Sequence, residues 1–432
     1  MKFGYFLCFM PRWIKYSVLI VLFALISIPD RSVADDQSKA DIPSAARVIL
    51  VKAGKLMNDK DYAKAIALLV DFQAQAVAGA TAETDKKGYL HAEIHQALGT
   101  CYLLDNKFRQ AARCFELALQ KDPSNLSAWL NQAKAFYELH EYGKAAECFN
   151  EAYLLSSDKN PEHLYFSAVA HLLAKQNKQS IQVFERLLAA HSDAFLPEWR
   201  ENLVHALLAV GEHRRALVHI RNLAEKYSGA KQMQWQEILL LQYLQLDMEK
   251  EALALANLLI DRTPTEPKWW RALVHIHLQK NRYQPALTGL LVTGYLEPLS
   301  EQEMQLAADL YLQLGVPQKA APLYETMLKA KKSPQLLTNL VIALQQLEQP
   351  DKALAALEKF SGEAMSPKMV MLKADLLYTS GNYKEAARYY HMTAESGIGK
   401  QKDRARQMAE YARVQATYEQ NGMSRRGQTA TF

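Results

Sequence analysis

The apolar and polar positions of this 432-residue chain recur in one frame along most of its length. The clearest copies are FRQAARCF beginning at Phe108, YGKAAECF beginning at Tyr142 and YKEAARYY beginning at Tyr383. In each copy an alanine follows the first aromatic residue after three positions, and a second aromatic residue follows that alanine after four. Spacings of three and four residues place these side chains on one face of an α-helix. The pattern therefore predicts helices with one apolar face, repeated along the chain.

Ten copies of this frame can be counted from the small residue at its centre. Neighbouring copies are 33 to 36 residues apart, except for an interval of 46 between the first two, which contains a polar segment at 79–88 that predicts a longer loop. Prolines at the ends of several units mark places where a helix must stop. The ten small residues are Ala65, Ala111, Ala145, Ser180, Ala216, Ala252, Ala286, Ala320, Ala353 and Ala386.

With this period and this alanine–aromatic pattern, the chain resembles the tetratricopeptide repeat (TPR) family, whose unit is a helix–turn–helix. The best copy surrounds Ala111 and fills the other signature positions with Leu98, Gly99, Tyr102, Ala118 and Pro123. The resemblance implies an all-α fold, a TPR solenoid with a right-handed superhelix of about ten repeats over residues 46–399. Residues 400–420 are predicted to form a capping helix with a polar outer face, and residues 421–432 a disordered tail.

The first 34 residues have the pattern of a secretory signal peptide. A basic, aromatic segment precedes the apolar run SVLIVLFALISI at 17–28, and Ser32-Val33-Ala34 offers a cleavage site. The run has 12 residues, fewer than the roughly 20 that span a bilayer. We therefore expect cleavage after Ala34, a flexible linker at 35–45 and a periplasmic protein. An uncleaved N-terminus that remains as an anchor is the alternative.

Composition and charge narrow the classes of function. A hydrophobic share of 49%, a charged share of 22% and a mean hydropathy of −0.21 are typical of a folded globular chain. Only 17 glycines and 15 prolines are present, few for a fold built of short strands and turns. The net charge is +5, of which +3 lies in the first 34 residues. The remaining charge is too small to indicate a nucleic-acid-binding protein.

Candidate chemistry is sparse. Cys101, Cys114 and Cys148 match no zinc spacing and are predicted to be small buried side chains, with one disulfide left open. His91 and His95 could share a metal ion but lack a third ligand nearby, so a solvated helix start is preferred. The tryptophans are expected to serve packing. Motifs for nucleotide binding, serine hydrolysis and zinc proteolysis are absent from the sequence. We therefore predict that the protein is not an enzyme and that it has no catalytic residue, cofactor or metal ion.

The resemblance also implies a binding site. In TPR arrays the first helix of each unit lines the concave face, and its second, fifth, sixth, ninth, twelfth and thirteenth positions contact a bound peptide. Three asparagines at the sixth position would form a broken ladder for the backbone of an extended peptide. The predicted partner-binding groove consists of Asn131, Lys134, Tyr137, Tyr165, Phe166, Val169, Asn202, His205, Leu241, Arg271, His275 and Asn339. The same family positions also include Leu244, Leu278, Asp309 and Asp375.

The expected function is a non-enzymatic periplasmic scaffold or adaptor that holds a protein partner, as an extended peptide or a helix, in this groove. No nucleic acid is expected to bind, and membrane association is expected only indirectly or through an uncleaved N-terminus. In its signal and long repeat array the chain resembles the periplasmic TPR component encoded with some TonB energy-transduction systems. The alternatives are an assembly factor of a pilus, secretion or polysaccharide-export system, and a glycan- or peptidoglycan-binding module that stacks sugars on Tyr137, Tyr165 and Phe166.

Overall fold

The computed structural model describes residues 42–78, 87–331, 333–360, 366–396 and 399–428. The predicted signal peptide at 1–34 lies outside these residues, as do most of the predicted linker at 35–45, most of the loop at 79–88 and the last four residues. All regular structure in the described ranges is helical. Among the described helices none combines the length and apolar character that crossing a bilayer requires.

The described residues form 21 α-helices, arranged as ten consecutive pairs and one last helix, with a short 3-10 turn at Ser192–Ala194. Odd-numbered helices are the first of each pair and even-numbered helices the second. The helices are α1 (Ser44–Asn58), α2 (Tyr62–Ala78), α3 (Ala92–Leu104), α4 (Phe108–Lys121), α5 (Leu126–Glu138), α6 (Tyr142–Leu155), α7 (Pro161–Leu173), α8 (Asn177–Ala190), α9 (Pro197–Ala209), α10 (His213–Lys226), α11 (Gly229–Gln245), α12 (Glu249–Arg262), α13 (Pro267–Gln279), α14 (Tyr283–Leu296), α15 (Glu301–Gln313), α16 (Pro317–Ala330), α17 (Pro334–Gln346), α18 (Pro350–Phe360), α19 (Pro367–Thr379), α20 (Tyr383–Ser396) and α21 (Lys400–Gln428).

The ten small residues of the repeat frame all lie on second helices, and all have a relative exposure of 0%. A small side chain at these points lets the two helices of a pair approach closely. The first helix can contribute to the same close contact, as Gly99 in α3 shows. A β-carbon at Gly99 would lie 2.8 Å from Cε1 of Phe115 in α4. The repeat frame predicted from the sequence is therefore confirmed, and with it the all-α fold of stacked helix pairs.

Each pair reverses direction through one residue in the left-handed region of the backbone. This residue lies five positions before the small residue in every pair, with φ between 55° and 80°. Only three of the ten are glycine, although an L-residue with a side chain costs roughly 1–2 kcal/mol in this conformation. The turn geometry is thus common to all ten pairs while its sequence is not. The ten residues are Lys60, Asn106, His140, Lys175, Gly211, Asp247, Asn281, Gly315, Glu348 and Gly381.

The helices form two compact units, divided between Gln242 and Tyr243 within α11. In the N-terminal unit, one apolar cluster lies among α1–α4 and another among α3–α5. In the C-terminal unit, an apolar cluster lies among α15–α19 and includes the fully buried Tyr324, Leu340 and Leu357. Each cluster joins a helix pair to the first helix of the next pair, so a pair completes its core only with its neighbour.

Tryptophan side chains stabilise the junctions between pairs. The indole N–H of Trp129 donates to the carbonyl of Pro123 at 2.9 Å, and that of Trp270 donates to the carbonyl of Pro264 at 2.8 Å. Each bond connects the fourth residue of a first helix to the proline that ends the preceding pair. Trp199, Trp235 and Trp269 are buried. The tryptophans serve packing, as predicted.

The two ends of the repeat array differ from the predicted boundaries. Helix α1 begins at Ser44, inside the predicted linker, and α21 continues through 421–428, which the sequence analysis placed in a disordered tail. No proline in 400–428 stops this helix.

The outer face of α21 is also less polar than predicted. Ala405, Ala409 and Ala412 are buried against α20, because small side chains permit the closest approach. The larger Tyr411, Val414 and Tyr418 remain exposed.

Candidate partner-binding face

The twelve residues of the predicted groove all lie on first helices, namely α5, α7, α9, α11, α13 and α17. We use the name first-helix face for the surface that the predicted contact positions of the first helices present to solvent. It includes the additional positions Asp309 on α15 and Asp375 on α19. On α5, in the N-terminal unit, Asn131, Lys134 and Tyr137 are half-buried and reach solvent. Burial lowers the pKa of the Lys134 ammonium. Asn131 has no hydrogen-bond partner among the described residues, so its amide remains available to a ligand.

Helix α7 does not conform to the prediction. Tyr165, Phe166 and Val169 are buried, with relative exposures of at most 9%. The ring of Tyr165 stacks on Trp199 with a centroid distance of 4.9 Å, and Phe166 packs on Phe149 at 5.4 Å. These rings present no open face to a sugar, so the proposed glycan-stacking platform loses two of its three members.

The burial of α7 extends over all eight residues from His163 to Ala170. A helix that is apolar on all sides is enclosed by its neighbours, and the sequence HLYFSAVA carries this signal. The contact positions of the TPR family, taken alone, did not predict this burial.

Asn202 on α9 is another correction to the predicted groove. It is buried, and its amide Nδ2 donates to the hydroxyl of Tyr165 at 3.2 Å. The bond satisfies a buried tyrosine rather than a peptide backbone. The neighbouring His205 is half-buried, and burial lowers its pKa.

Leu241 on α11 and His275 on α13 are half-buried. Burial lowers the pKa of His275. Its Nε2 accepts a hydrogen bond from Nε2 of Gln279 at 3.1 Å. The imidazole is therefore held in its neutral form.

Arg271 on α13 is engaged within the protein. Its Nε–H donates to Oε1 of Glu303 at 2.6 Å, and its guanidinium also pairs with Glu297. Glu303 in turn caps α15 together with Ser300. Burial opposes ionisation of Glu303, but hydrogen bonds from Arg271 and Ser300 outweigh it and lower the pKa of that carboxyl. The arginine thus joins α13 to the start of α15.

Asn339 on α17 belongs to a polar cluster of the first-helix face in the C-terminal unit. Its Nδ2 donates to Oδ1 of Asp309 at 3.1 Å, and its own Oδ1 accepts from Gln335 at 3.0 Å. The hydroxyl of Tyr324 donates to the same Oδ1 of Asp309 at 2.6 Å. The Tyr324 side chain is fully buried, whereas Asp309 is half-buried. A core residue therefore orients a partly exposed carboxylate.

The last helix pair repeats this arrangement. The hydroxyl of Tyr390 donates to Oδ1 of Asp375 at 2.6 Å, and Oδ2 of Asp375 lies 3.8 Å from the exposed guanidinium of Arg404. The Asp375 side chain is 27% exposed. Both tyrosines lie fifteen residues after their aspartates. The two tyrosines were missed by sequence reasoning, although this shared spacing was a signal that could have identified them.

Within the described residues, Cys101, Cys114 and Cys148 are free and buried. Burial raises the pKa of Cys101 and Cys148 to about 12 and that of Cys114 to about 11. The thiol of Cys148 donates to Oε1 of Gln132 at 3.4 Å. They are packing residues, as predicted, and the disulfide left open is not formed.

The two histidines at the start of α3 have separate roles. Nδ1 of His91 accepts the backbone N–H of Glu93 as an N-terminal cap. His95 is buried rather than solvated, and its Nδ1 accepts from Gln73 at 3.0 Å. Across the described ranges, the structure contains no group of three or more His, Cys, Asp or Glu residues able to hold a metal ion.

Comparison with known proteins identifies the repeats. Residues 97–158, 130–195 and 338–397 match the family model of the tetratricopeptide repeat. A TPR repeat-containing protein, MJ1428 of Methanocaldococcus jannaschii, is 29% identical over 116 residues, which are 27% of this chain and 20% of that protein. The chain thus spans about a fifth of the length of this curated relative. The segments 97–195 and 338–397 carry tetratricopeptide repeats.

Among solved structures, Naa15/Naa10 bound to HypK-THB aligns over 83% of this chain and 59% of its own, with 15% identity and a TM-score of 0.42. A tetratricopeptide repeat protein from Parabacteroides merdae aligns over 69% of this chain and 99% of its own, with 13% identity and a TM-score of 0.32.

Proposed function

We propose that this TPR-repeat chain is a non-enzymatic scaffold that binds a segment of a protein partner on the first-helix face of its C-terminal unit. Its repeats support this function at a coarse level, because stacked helix pairs present an extended surface for protein partners. The observation that carries the finer proposal is the orientation of Asp309 and Asp375 by buried tyrosines.

Several partners other than carboxylates could have satisfied a buried tyrosine hydroxyl. Here the acceptor is a carboxylate that also reaches solvent, which keeps part of its capacity to accept further hydrogen bonds. Burial and the adjacent carboxylate raise the pKa of Tyr324 and of Tyr390, so both hydroxyls stay protonated and keep donating. The carboxylates are thereby fixed before a partner arrives, which reduces the ordering cost of binding.

The chemistry of the partner follows from these acceptors. Carboxylates bind N–H donors, and charge-assisted hydrogen bonds to lysine, arginine or a chain N-terminus are the stronger ones. We expect a segment with backbone or cationic N–H groups facing α15, α17 and α19. The exposed Gln313 and Gln346, each at the thirteenth position of its first helix, lie at the end of this surface.

Site-specific photo-crosslinking in the producing cell tests the proposal. A benzoylphenylalanine at position 313 or 346 on first helices is compared with one at the exposed positions 352 or 358 on α18. We expect a discrete crosslinked partner from the first-helix positions only. The double variant Asp309→Asn/Asp375→Asn keeps an acceptor for each tyrosine but removes both charges, and should reduce the yield several-fold.

The matched control is Asp261→Asn/Asp351→Asn, which removes the same charge from exposed positions on second helices. It should leave the yield unchanged. Crosslinks from α18 alone, or a yield insensitive to Asp309 and Asp375, would contradict the proposal.

The proposal places this scaffold in the periplasm, after cleavage behind Ala34, within an envelope complex such as a TonB-type energy-transduction system. The basic and apolar segments of residues 1–28 support export. Co-purification of the crosslinked partner with proton-motive-force motor subunits would support the TonB assignment. Recovery of pilus, secretion or polysaccharide-export subunits instead would replace it.

A further inference from the structure

A basic cleft lies between α20 and α21, apart from the first-helix face. It is open to solvent and has a volume of about 730 Å³. We call it the α20–α21 cleft. Its lining residues are Lys384, Ala387, Arg388, His391 and Met392 on α20 and Arg413, Ala416, Thr417 and Gln420 on α21.

The lining of the cleft carries positive charge and no carboxylate. Arg388 and Arg413 approach Glu385 and Glu410 only at 3.8 Å, within their own helices. Such exposed pairs contribute little and exchange readily with solvent. The two arginine side chains are 72% and 59% exposed. The cleft is therefore accessible and electrostatically suited to a carboxylate-bearing ligand.

The shape of the cleft follows from the length of α21. Eight of the earlier first helices, α3, α5, α7, α9, α13, α15, α17 and α19, have 13 residues, after which the chain turns back into a second helix. Helix α21 has 29 residues and continues past this point. The flank of α20 beside it is thus left open in the described structure.

In nine of the ten earlier pairs the first helix packs closely against the second helix that follows it. Helix α21, which lines the cleft, has no such second helix among the described residues. The α20–α21 cleft is therefore bordered by a helix that lacks this packing partner. Its floor of Ala387 and Ala416 is small enough for close helix packing, and the exposed Met392 can adapt to an apolar side chain.

We infer that the α20–α21 cleft binds an acidic, amphipathic α-helical segment of a protein partner. Its apolar side would pack on Ala387, Met392 and Ala416, and its carboxylates would pair with Lys384, Arg388 and Arg413. A cleft between two helices, with Ala387 and Ala416 at its base, suits a helix better than it suits a flat anionic lipid surface, which would contact only the rim. This binding is independent of Asp309 and Asp375.

The test uses a fluorescein-labelled synthetic amphipathic helix of roughly 15 residues, with glutamates on its polar face, and a control peptide in which each glutamate is lysine. Fluorescence anisotropy at low salt measures their affinity for the whole chain. We expect saturable binding of the acidic peptide only. Lys384→Glu/Arg413→Glu should weaken it roughly tenfold or more, since two attractions become repulsions.

Two variants separate charge from shape and fold. Lys319→Glu/Lys329→Glu makes the same charge change at exposed positions of α16 and should leave the affinity of the acidic peptide unchanged. Thr417→Trp fills the cleft at an exposed helical position and should weaken binding with no loss of helical circular dichroism.

Several results would overturn the inference. These are equal affinity of Lys384→Glu/Arg413→Glu and the parent, failure of the acidic peptide to bind, or binding of phosphatidylglycerol vesicles in its place. A loss of peptide binding in Asp309→Asn/Asp375→Asn would assign the peptide to the first-helix face instead. Failure of the crosslinking experiment at positions 313 and 346 would leave the cleft unaffected.

Discussion

The hydroxyl of Tyr324 donates a 2.6 Å hydrogen bond to the carboxylate of Asp309, and it does so from a fully buried position. Tyr390 and Asp375 repeat the relationship two helix pairs later. In the pair between them, the corresponding residues are Ile342 and Leu357. The chain therefore uses either a polar or an apolar pair at this junction, but does not mix the two in these three units.

This alternation predicts non-additive stability. Asp309→Ile should lower the free energy of unfolding by about 1–3 kcal/mol, because the hydroxyl of Tyr324 stays buried without its carboxylate. Asp309→Ile combined with Tyr324→Phe should restore most of that loss. Urea denaturation followed by circular dichroism measures both single variants and the double variant. A double variant as unstable as the sum of its single changes would contradict the coupling.

A larger side chain at Ala145 should be destabilising. Ala145 has a relative exposure of 0% on α6, so Ala145→Leu forces the two helices of its pair apart at a cost of about 1–3 kcal/mol. Glu147→Leu, at an exposed position of the same helix, is the control. The melting midpoint should fall for Ala145→Leu and hardly change for Glu147→Leu.

The left-handed turn residues predict opposite effects for opposite substitutions. A β-carbon at Gly315 would meet no atom within 4 Å, but φ is +71°. Gly315→Ala should therefore cost about 1 kcal/mol through backbone strain alone. Glu348 has φ of 57° with a side chain, so Glu348→Gly should be neutral or slightly stabilising, with strain relief offsetting backbone entropy. Equal destabilisation by both changes, measured by chemical denaturation, would mean that these turns relax freely.

Acidification should destabilise the N-terminal unit through His219. Burial, followed by the positive charge of Arg200, lowers the pKa of His219 from 6.5 to about 4. Nδ1 of His219 accepts from Nη1 of Arg200 at 2.9 Å, which requires the neutral ring. The unfolded chain binds this proton more readily than the folded chain does. The contribution of neutral His219 to the free energy of unfolding is therefore complete above pH 6.5 and is lost as the pH falls towards 4.

His219→Asn keeps a hydrogen-bond acceptor but does not titrate in this range. Between pH 7 and pH 4, the free energy of unfolding of this variant should fall by about 1–2 kcal/mol less than that of the parent. This figure allows for the partial exposure of the His219 ring. Denaturation curves at several pH values decide this. Parallel pH profiles for the two proteins would remove His219 from the explanation.

Export can be checked at the N-terminus. Because Ala34 ends a permitted cleavage site after a short apolar run, we predict that the exported protein begins at Asp35. Intact-mass spectrometry of material from the periplasmic fraction measures this. Retention of Met1 would instead indicate a scaffold anchored by its N-terminus.

The amino-acid sequence by itself determined the repeat. Its period, its ten small residues and the prolines and tryptophans at unit junctions depend on short-range helical geometry, which is the same in every unit. Helix pairing follows from this pattern, since each apolar stripe must be buried against the adjacent helices. The positions of the two packing indoles, Trp129 and Trp270, could be predicted for the same reason.

Tertiary structure decided which of the predicted groove residues reach solvent. Tyr165 and Asn202 occupy family contact positions, yet the ring of Trp199 and the packing of α7 enclose them. The exposure of a helix position depends on side chains contributed by other helices, which a repeat frame does not specify. The cleft between α20 and α21 likewise depends on how two helices pack, because its lining comes from both of them. A periodic pattern along one helix does not specify that arrangement.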